Sequence, residues 1–410
     1  MLRTRRSPRA TIAVLGSALL VSTVLASCGS DNAGDGESGP IKIMTVGPFT
    51  SGATAAFDEL RAAAEAGTAE VNAAGGVDGR DIELVTCDDQ LNPDVAQSCF
   101  QKAAADKGVV AVVGGYNVFP EVIAPYLQQS GLVVVGGTGS GEAAMANPNM
   151  FPQNPGTPNQ YYGAAADALR KGAKKILLLA VDLPGTIGLG QALEEAVSEG
   201  GGEYLDPVLI SAAEANTAAA ADKVVAAKPD AVILALSPLQ TTSSIEQMRQ
   251  KGFGAPIYVQ TSLSDQASLD AMGGFDKLVG FQGMPPFTDN SVSGIKQFND
   301  AMDEHEPDSP RNELAVSTWY GVHAFAQIAE SIDGPITRKS VSDAVRSTST
   351  LDTFGLTPDV PGWYTAEAPY PAHSAVHNNH IVITSLAGGE LTWDKVFYPA
   401  LGGGEATPAQ

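Results

Sequence analysis

Two periods of apolar and polar positions alternate along most of this chain. Short runs that are apolar almost throughout read as strands: IKIMTV from Ile41, IELVT from Ile82, VVAVV from Val109 and LVVV from Leu132. Between them apolar residues recur every three or four positions, as Phe57, Leu60, Ala64, Thr68 and Val71 do. That spacing predicts amphipathic helices near 55–73, 94–106 and 119–129. Strands without a polar face suit a parallel sheet covered by helices on both sides. The pattern breaks at 151–160, FPQNPGTPNQ, which reads as a crossing between lobes. It then resumes with KKILLLAV, YLDPVLI, DAVILAL and PIYVQ, and with helices near 188–200, 214–227 and 241–252. A second break, GMPPF at 283–287, leads to helices near 292–304, 313–332 and 339–347. The tail reads as a hairpin, HIVITSL and LTWDKVFY around Gly388-Gly389. The expected fold class is α/β, with two doubly wound Rossmann-like lobes joined by three crossovers. Residues 41–156 and 285–355 form the N-terminal lobe in this reading, and 157–284 and 356–402 the C-terminal one.

The amino end follows another pattern. Arg3, Arg5, Arg6 and Arg9 precede an apolar run from Ile12 to Leu25, too short for a permanent membrane span. The run ends at Leu25-Ala26-Ser27-Cys28, which resembles a bacterial lipobox. Residues 1–27 are therefore expected to be a lipoprotein signal peptide, with Cys28 acylated and holding the protein to the outer face of the cell membrane. The rival reading is plain secretion. Arg5-Arg6 is a weak hint of the twin-arginine route. Residues 28–40, polar and glycine-rich, read as a flexible tether.

Charge narrows the partners. The 410-residue chain carries a net charge of −22, and loss of a segment with four arginines and no acids makes it −26. Such a body is not expected to bind nucleic acid or an anionic lipid surface, so the membrane is reached through the anchor alone. With Cys28 acylated, Cys87 and Cys99 remain as a pair outside the cytoplasm, where disulfides persist. Closing so short a loop contributes about 3 kcal/mol in the chain-entropy model. A metal site is the alternative for these thiols, but no histidine or second cysteine pair lies nearby in sequence.

The stretch 71–90, VNAAGGVDGRDIELVTCDDQ, joins the end of the first long helix to a return strand through two glycine turns. It resembles the segment after the first helix in leucine/isoleucine/valine-type solute-binding proteins of ABC importers. The similarity continues through Asn92-Pro93, VVAVVGG and IAPYLQQSGLVVVGG, then fades to pattern level. It implies the type I periplasmic-binding-protein fold and a small-molecule ligand between the lobes. It also implies an ABC permease and its ATPase subunits as partners, and no cofactor.

Ligands of open α/β sheets sit beyond the carboxyl ends of strands. With the resemblance, that rule points to loops 47–53, 114–117 and 136–141 in one lobe, and 182–186, 237–240 and 260–262 in the other. The candidate ligand residues on them are Phe49, Ser51, Tyr116, Asn117, Thr138, Ser140, Asp182, Ser237, Gln260 and Thr261. Ser140 is the closest match to the hydroxyl that grips a ligand carboxylate in the resembled family. Where its amino-acid binders carry a glutamate for the ligand ammonium, this chain has Gln260-Thr261. A buried ammonium without a counter-charge is costly, so Asp182 becomes the expected substitute and a neutral or anionic ligand the favoured one.

Enzymatic signatures are weak. Gly139 to Ala144 fits GxGxxA but lies outside the first βα unit and lacks a following strand-end acid. No GxSxG, P-loop or HExxH occurs. Three histidines cluster in AHSAVHNNH (His373, His377, His380), too loosely for a metal site, and a solvated loop is expected there. The expected function is an extracytoplasmic substrate-binding lipoprotein of an ABC importer, capturing a small polar solute such as an amino acid or amide. The alternative is a sensory receptor of the same fold that signals to a membrane partner.

Overall fold

A computed structural model describes residues 39–50, 56–214, 216–400 and 405–409. The signal segment, Cys28 and Ser51 lie outside them. Two sheets organise the chain from Gly39 onward. The first has strand order Ile82–Asp88, Ile41–Gly47, Val109–Val113, Val134–Val135, Met150–Phe151, parallel throughout. Its central strands are buried on both faces, as their unbroken apolar sequence requires. In the second, Val208–Ile210, Lys175–Val181, Ala231–Ala235, Ile257–Gln260 and Leu278–Gln282 run parallel. His380–Ala387 and Glu390–Pro399 then extend it as an antiparallel hairpin.

Helix ends follow local chemistry. Asn92 accepts the amide of Asp94 at 2.9 Å, and Pro93 opens the helix Pro93–Ala105, where a missing N–H costs nothing. Cys99 on this helix is bonded to Cys87 on the adjacent strand. The helix Asp58–Ala73 packs against Ser293–His305 and Glu313–Glu330, which have returned from the far lobe through 283–287.

Three sequence expectations change. The run YLDPVLI is two short strands, Glu203–Tyr204 and Val208–Ile210, on opposite ends of Lys175–Val181, because Asp206-Pro207 interrupts the ladder. The first crossing is shorter than 151–160. A helix, Gly156–Arg170, starts inside it, with Asn154 Oδ1 accepting the Gly156 amide at 2.9 Å. Its Gly-Thr-Pro-Asn opening resembles a turn in sequence, while its buried face carries Tyr161, Ala164, Ala165 and Ala168. The last crossing falls later than 356. Trp363–Thr365 packs on Arg338–Ser347, and the Tyr364 hydroxyl donates to the Phe151 carbonyl at 2.9 Å. Ala375 N–H still reaches the Met145 carbonyl at 2.8 Å, so the chain leaves the first lobe just before His380.

Candidate ligand-binding cleft

The carboxyl ends of both sheets face a cavity of about 620 Å³ between the lobes. Backbone geometry sets its first-lobe edge. Gly115 and Gly137 adopt φ of 82° and 73°, and a Cβ on them would stand 2.1 Å from the Val46 oxygen and 2.4 Å from the Gly114 oxygen. Only glycine allows this approach. It lets Tyr116–Asn117 and Thr138–Gly139 pair as a short parallel ladder, with Ser140 N–H on the Asn117 carbonyl at 3.1 Å. Tyr116, Ser140 and Thr157 thereby stand together on the wall. Burial, which outweighs the influence of the neighbouring Ser140 and Thr157 hydroxyls, raises the Tyr116 phenol above its ordinary pKa.

The second lobe supplies Tyr161, Leu183, Thr186, Leu236, Gln260 and Leu263. Gln260 accepts the Tyr161 hydroxyl at 3.2 Å and donates to Gln160 Oε1 at 2.9 Å. Gln160 in turn donates to Glu313 at 3.2 Å, and Glu313 also accepts the Gly283 amide at 2.7 Å. A polar chain thus runs from the cavity to the second crossing. Burial pushes the Glu313 carboxyl up to about 8, and these hydrogen bonds only moderate the shift. A smaller cavity of about 370 Å³ adjoins, sharing Leu236, Gln260 and Leu263 and adding Leu239.

Of the residues expected from sequence, the structure brings Tyr116, Ser140 and Gln260 onto the main cavity wall. The others stand elsewhere. Phe49 is buried with Leu60 and Leu314. Asn117 is buried behind the ladder, its Nδ2 without a partner. Thr138 Oγ1 accepts Asn154 Nδ2 at 2.7 Å and braces the first crossing. Ser237 caps the helix Pro238–Gln250. Thr261 is buried and donates to Gln282 at 2.6 Å. Asp182 is exposed and off the wall: its amide still follows the sheet, bonding the Ile210 carbonyl at 2.7 Å, and the chain reaches the cavity only at Leu183.

Sequence reasoning passed over Glu142 and His373. Glu142 lines the cavity and accepts the Tyr162 hydroxyl at 2.6 Å, while His373 bonds its other oxygen. The expected solvated histidine loop is instead packed: His373, Asn378 and Asn379 are buried. Burial lowers the pKa of His377 and His380. Glu142 was visible in the sequence only as part of a failed dinucleotide fingerprint. Its histidine partner lies more than two hundred residues away. Among the described residues no group of three potential ligands could hold a metal ion. Nor is any of their helices long and apolar enough to cross a membrane.

A two-lobed α/β body with a ligand-sized cavity at the strand ends is the type I periplasmic-binding-protein fold. The profile of the periplasmic binding protein family matches residues 40–379, and the chain belongs to that family of extracytoplasmic ligand-binding proteins. It is a binding protein and not an enzyme. A chemotactic signal transduction system substrate-binding protein, BasB of Halobacterium salinarum, is 26% identical over 344 residues, covering 77% of this chain and 76% of the relative. Two solved structures share the fold. A substrate-binding periplasmic protein from Ralstonia solanacearum has a TM-score of 0.72 at 19% identity, covering 86% of this chain and 99% of its own. The branched-chain amino acid transporter substrate-binding protein LivJ from Streptococcus pneumoniae, in complex with isoleucine, has a TM-score of 0.69 at 20% identity, covering 86% and 97%.

Proposed function

We propose that this chain is the membrane-anchored receptor of an ABC importer, capturing a small amphipathic solute between its lobes and presenting it to a permease. The interlobe cavity, walled by strand-end loops of both sheets, is the observation that carries the reading. A ligand held there bridges the lobes, and hinge closure at the three crossings gives the transporter a form to recognise. The cavity's wall is mostly apolar with a few polar anchors, Ser140, Gln260 and Tyr116, as in sites that bury a small organic molecule. Anchoring through acylated Cys28 belongs to the same proposal.

A thermal-shift screen across amino acids, amides, amines, small organic acids and nucleosides is the test, since binding to the folded state raises the melting temperature. A specific hit whose shift is lost in Gln260→Ala supports the cleft; hits indifferent to Gln260 and Ser140 changes place it elsewhere. Fractionation of wild type against Cys28→Ala tests the anchor, and equal recovery of both as soluble protein sinks it. The relative with a chemotactic role favours a second reading, sensing rather than transport. Uptake of the identified ligand in cells lacking this protein separates the two: lost uptake supports import, and intact uptake with lost taxis supports sensing.

A further inference from the structure

Among the described residues the acids on the cavity wall are Glu121 and Glu142, and no lysine, arginine or histidine lines it. Glu142 is the one held in place. Tyr162, on the helix Gly156–Arg170, donates to Oε1, and His373, on the returning segment, bonds Oε2. On the far side of the His373 ring, Nδ1 lies 2.9 Å from Asn159 Oδ1. Asn159 Nδ2 donates to the Pro155 carbonyl at 2.9 Å, so its amide oxygen is the atom that faces the ring. An amide oxygen only accepts, so Nδ1 carries a proton. The short contact between Nε2 and Oε2 of Glu142 therefore holds a proton between ring and carboxyl. His373 is 2% exposed, stacked on Tyr162 with Tyr370 at its edge. Burial works to raise the Glu142 carboxyl, but the bonds from His373 and Tyr162 and the charge on His373 bring it below the ordinary range.

Each carboxylate oxygen keeps a second acceptor site, and 51% of the Glu142 side chain remains open. We propose that Glu142 is the cation partner of the ligand, and that the cleft takes a molecule with an ammonium or similar cationic donor beside an apolar body. The inference rests on the receptor reading above and reverses the neutral or anionic ligand expected from Gln260-Thr261. The His373 ring behind Glu142 offsets part of the carboxylate's pull on a ligand cation. It stands on the far side of the carboxylate, however, so the nearer opposite charge dominates. An anion would meet like charge with no cation among the described residues of the wall to answer it. Val118, Phe119, Leu183 and Leu236 supply the apolar surface.

The test is calorimetric titration with probes of one skeleton: phenethylamine, L-phenylalanine, 3-phenylpropionamide and 3-phenylpropionate, with an isoamylamine, L-leucine and 4-methylpentanoate set beside them. The amine or zwitterion should bind at least about tenfold tighter than the anion. Glu142→Gln should collapse that preference, and Glu142→Asp should restore part of it. A purely structural role would weaken every probe alike and leave their order unchanged; that result overturns the inference, as does an anion binding as tightly as the amine. Melting curves of both variants confirm folding. If cation-bearing probes fail while other compounds of the broader screen bind, the ligand class falls and the receptor reading stands. Binding of nothing at all overturns both.

Discussion

The two lobes meet the cleft with different materials. The first brings tightly approached backbone, glycine turns and fixed polar groups: Tyr116, Ser140 and Glu142. The second brings leucines beside a hydrogen-bonded Tyr161–Gln260 pair. Leu183 and Leu239, 49% and 71% exposed, are the exposed large apolar side chains among the described residues, and both begin or precede helices at strand ends facing the cavities. The first edge is thus set mainly by fixed backbone and polar groups, while the second adds exposed apolar surface that gains by being covered. The contrast extends to buried acids. In the first lobe Glu59, Asp89 and Glu313 are buried with no lysine or arginine within ion-pair distance among the described residues. The buried acid of the second, Asp167, contacts Arg170, has Lys171 at 2.9 Å and accepts the Tyr258 hydroxyl.

The largest expected effect follows from those acids. Burial raises Glu313 to about 8, Glu59 to about 7 and Asp89 to about 6. Below the ordinary carboxyl range folded and unfolded chains are both protonated, and the full stability is present. As pH rises, the unfolded chain releases these protons first, so stability is lost progressively up to about pH 8. The sum is on the order of several kcal/mol. Denaturant titrations from pH 5 to 9 should show the fall, and Glu313→Gln should flatten its upper part. A flat wild-type profile would contradict it.

Next comes the glycine edge. Gly115→Ala places a methyl group on the Val46 carbonyl in a left-handed backbone and should cost about 3 kcal/mol or more. Gly188 on the second lobe has open space and a helical backbone, so Gly188→Ala should be neutral or stabilising by up to about 1 kcal/mol. Equal effects would erase the contrast between a preset and an open edge. Reduction of Cys87–Cys99, which closes a short first-lobe loop, should cost about 3 kcal/mol at most, read as a shift in denaturation midpoint. The smallest stability change belongs to the leucines. Leu183→Ser and Leu239→Ser should stay within about 0.5 kcal/mol, because the side chains are already exposed. Leu183→Ser should nonetheless weaken an apolar ligand severalfold; unchanged affinity would remove the second lobe's part in binding.

Most of this architecture was legible in the chain. Apolar runs such as VVAVV and KKILLLAV, set between helical periods, dictate a parallel sheet because local pattern and burial agree there. The pairing of Cys87 with Cys99 was likewise local, a strand end and the next helix. Tyr116, Ser140 and Gln260 could be placed on the cleft because strand-end loops converge in a doubly wound sheet. Asp182 could not be ruled out of it, since one residue of extra sheet bonding decides whether a strand-end side chain meets cavity or solvent. The Gly156–Arg170 helix was hidden by turn-forming residues whose cost is met by burial beneath the second sheet. Glu142 owes its position and its charge to Tyr162, 20 residues on, and to His373, brought to it from a distant part of the chain. Periodicity records which face of an element is buried, whereas a charged cluster of this kind exists only after non-local packing has closed around it.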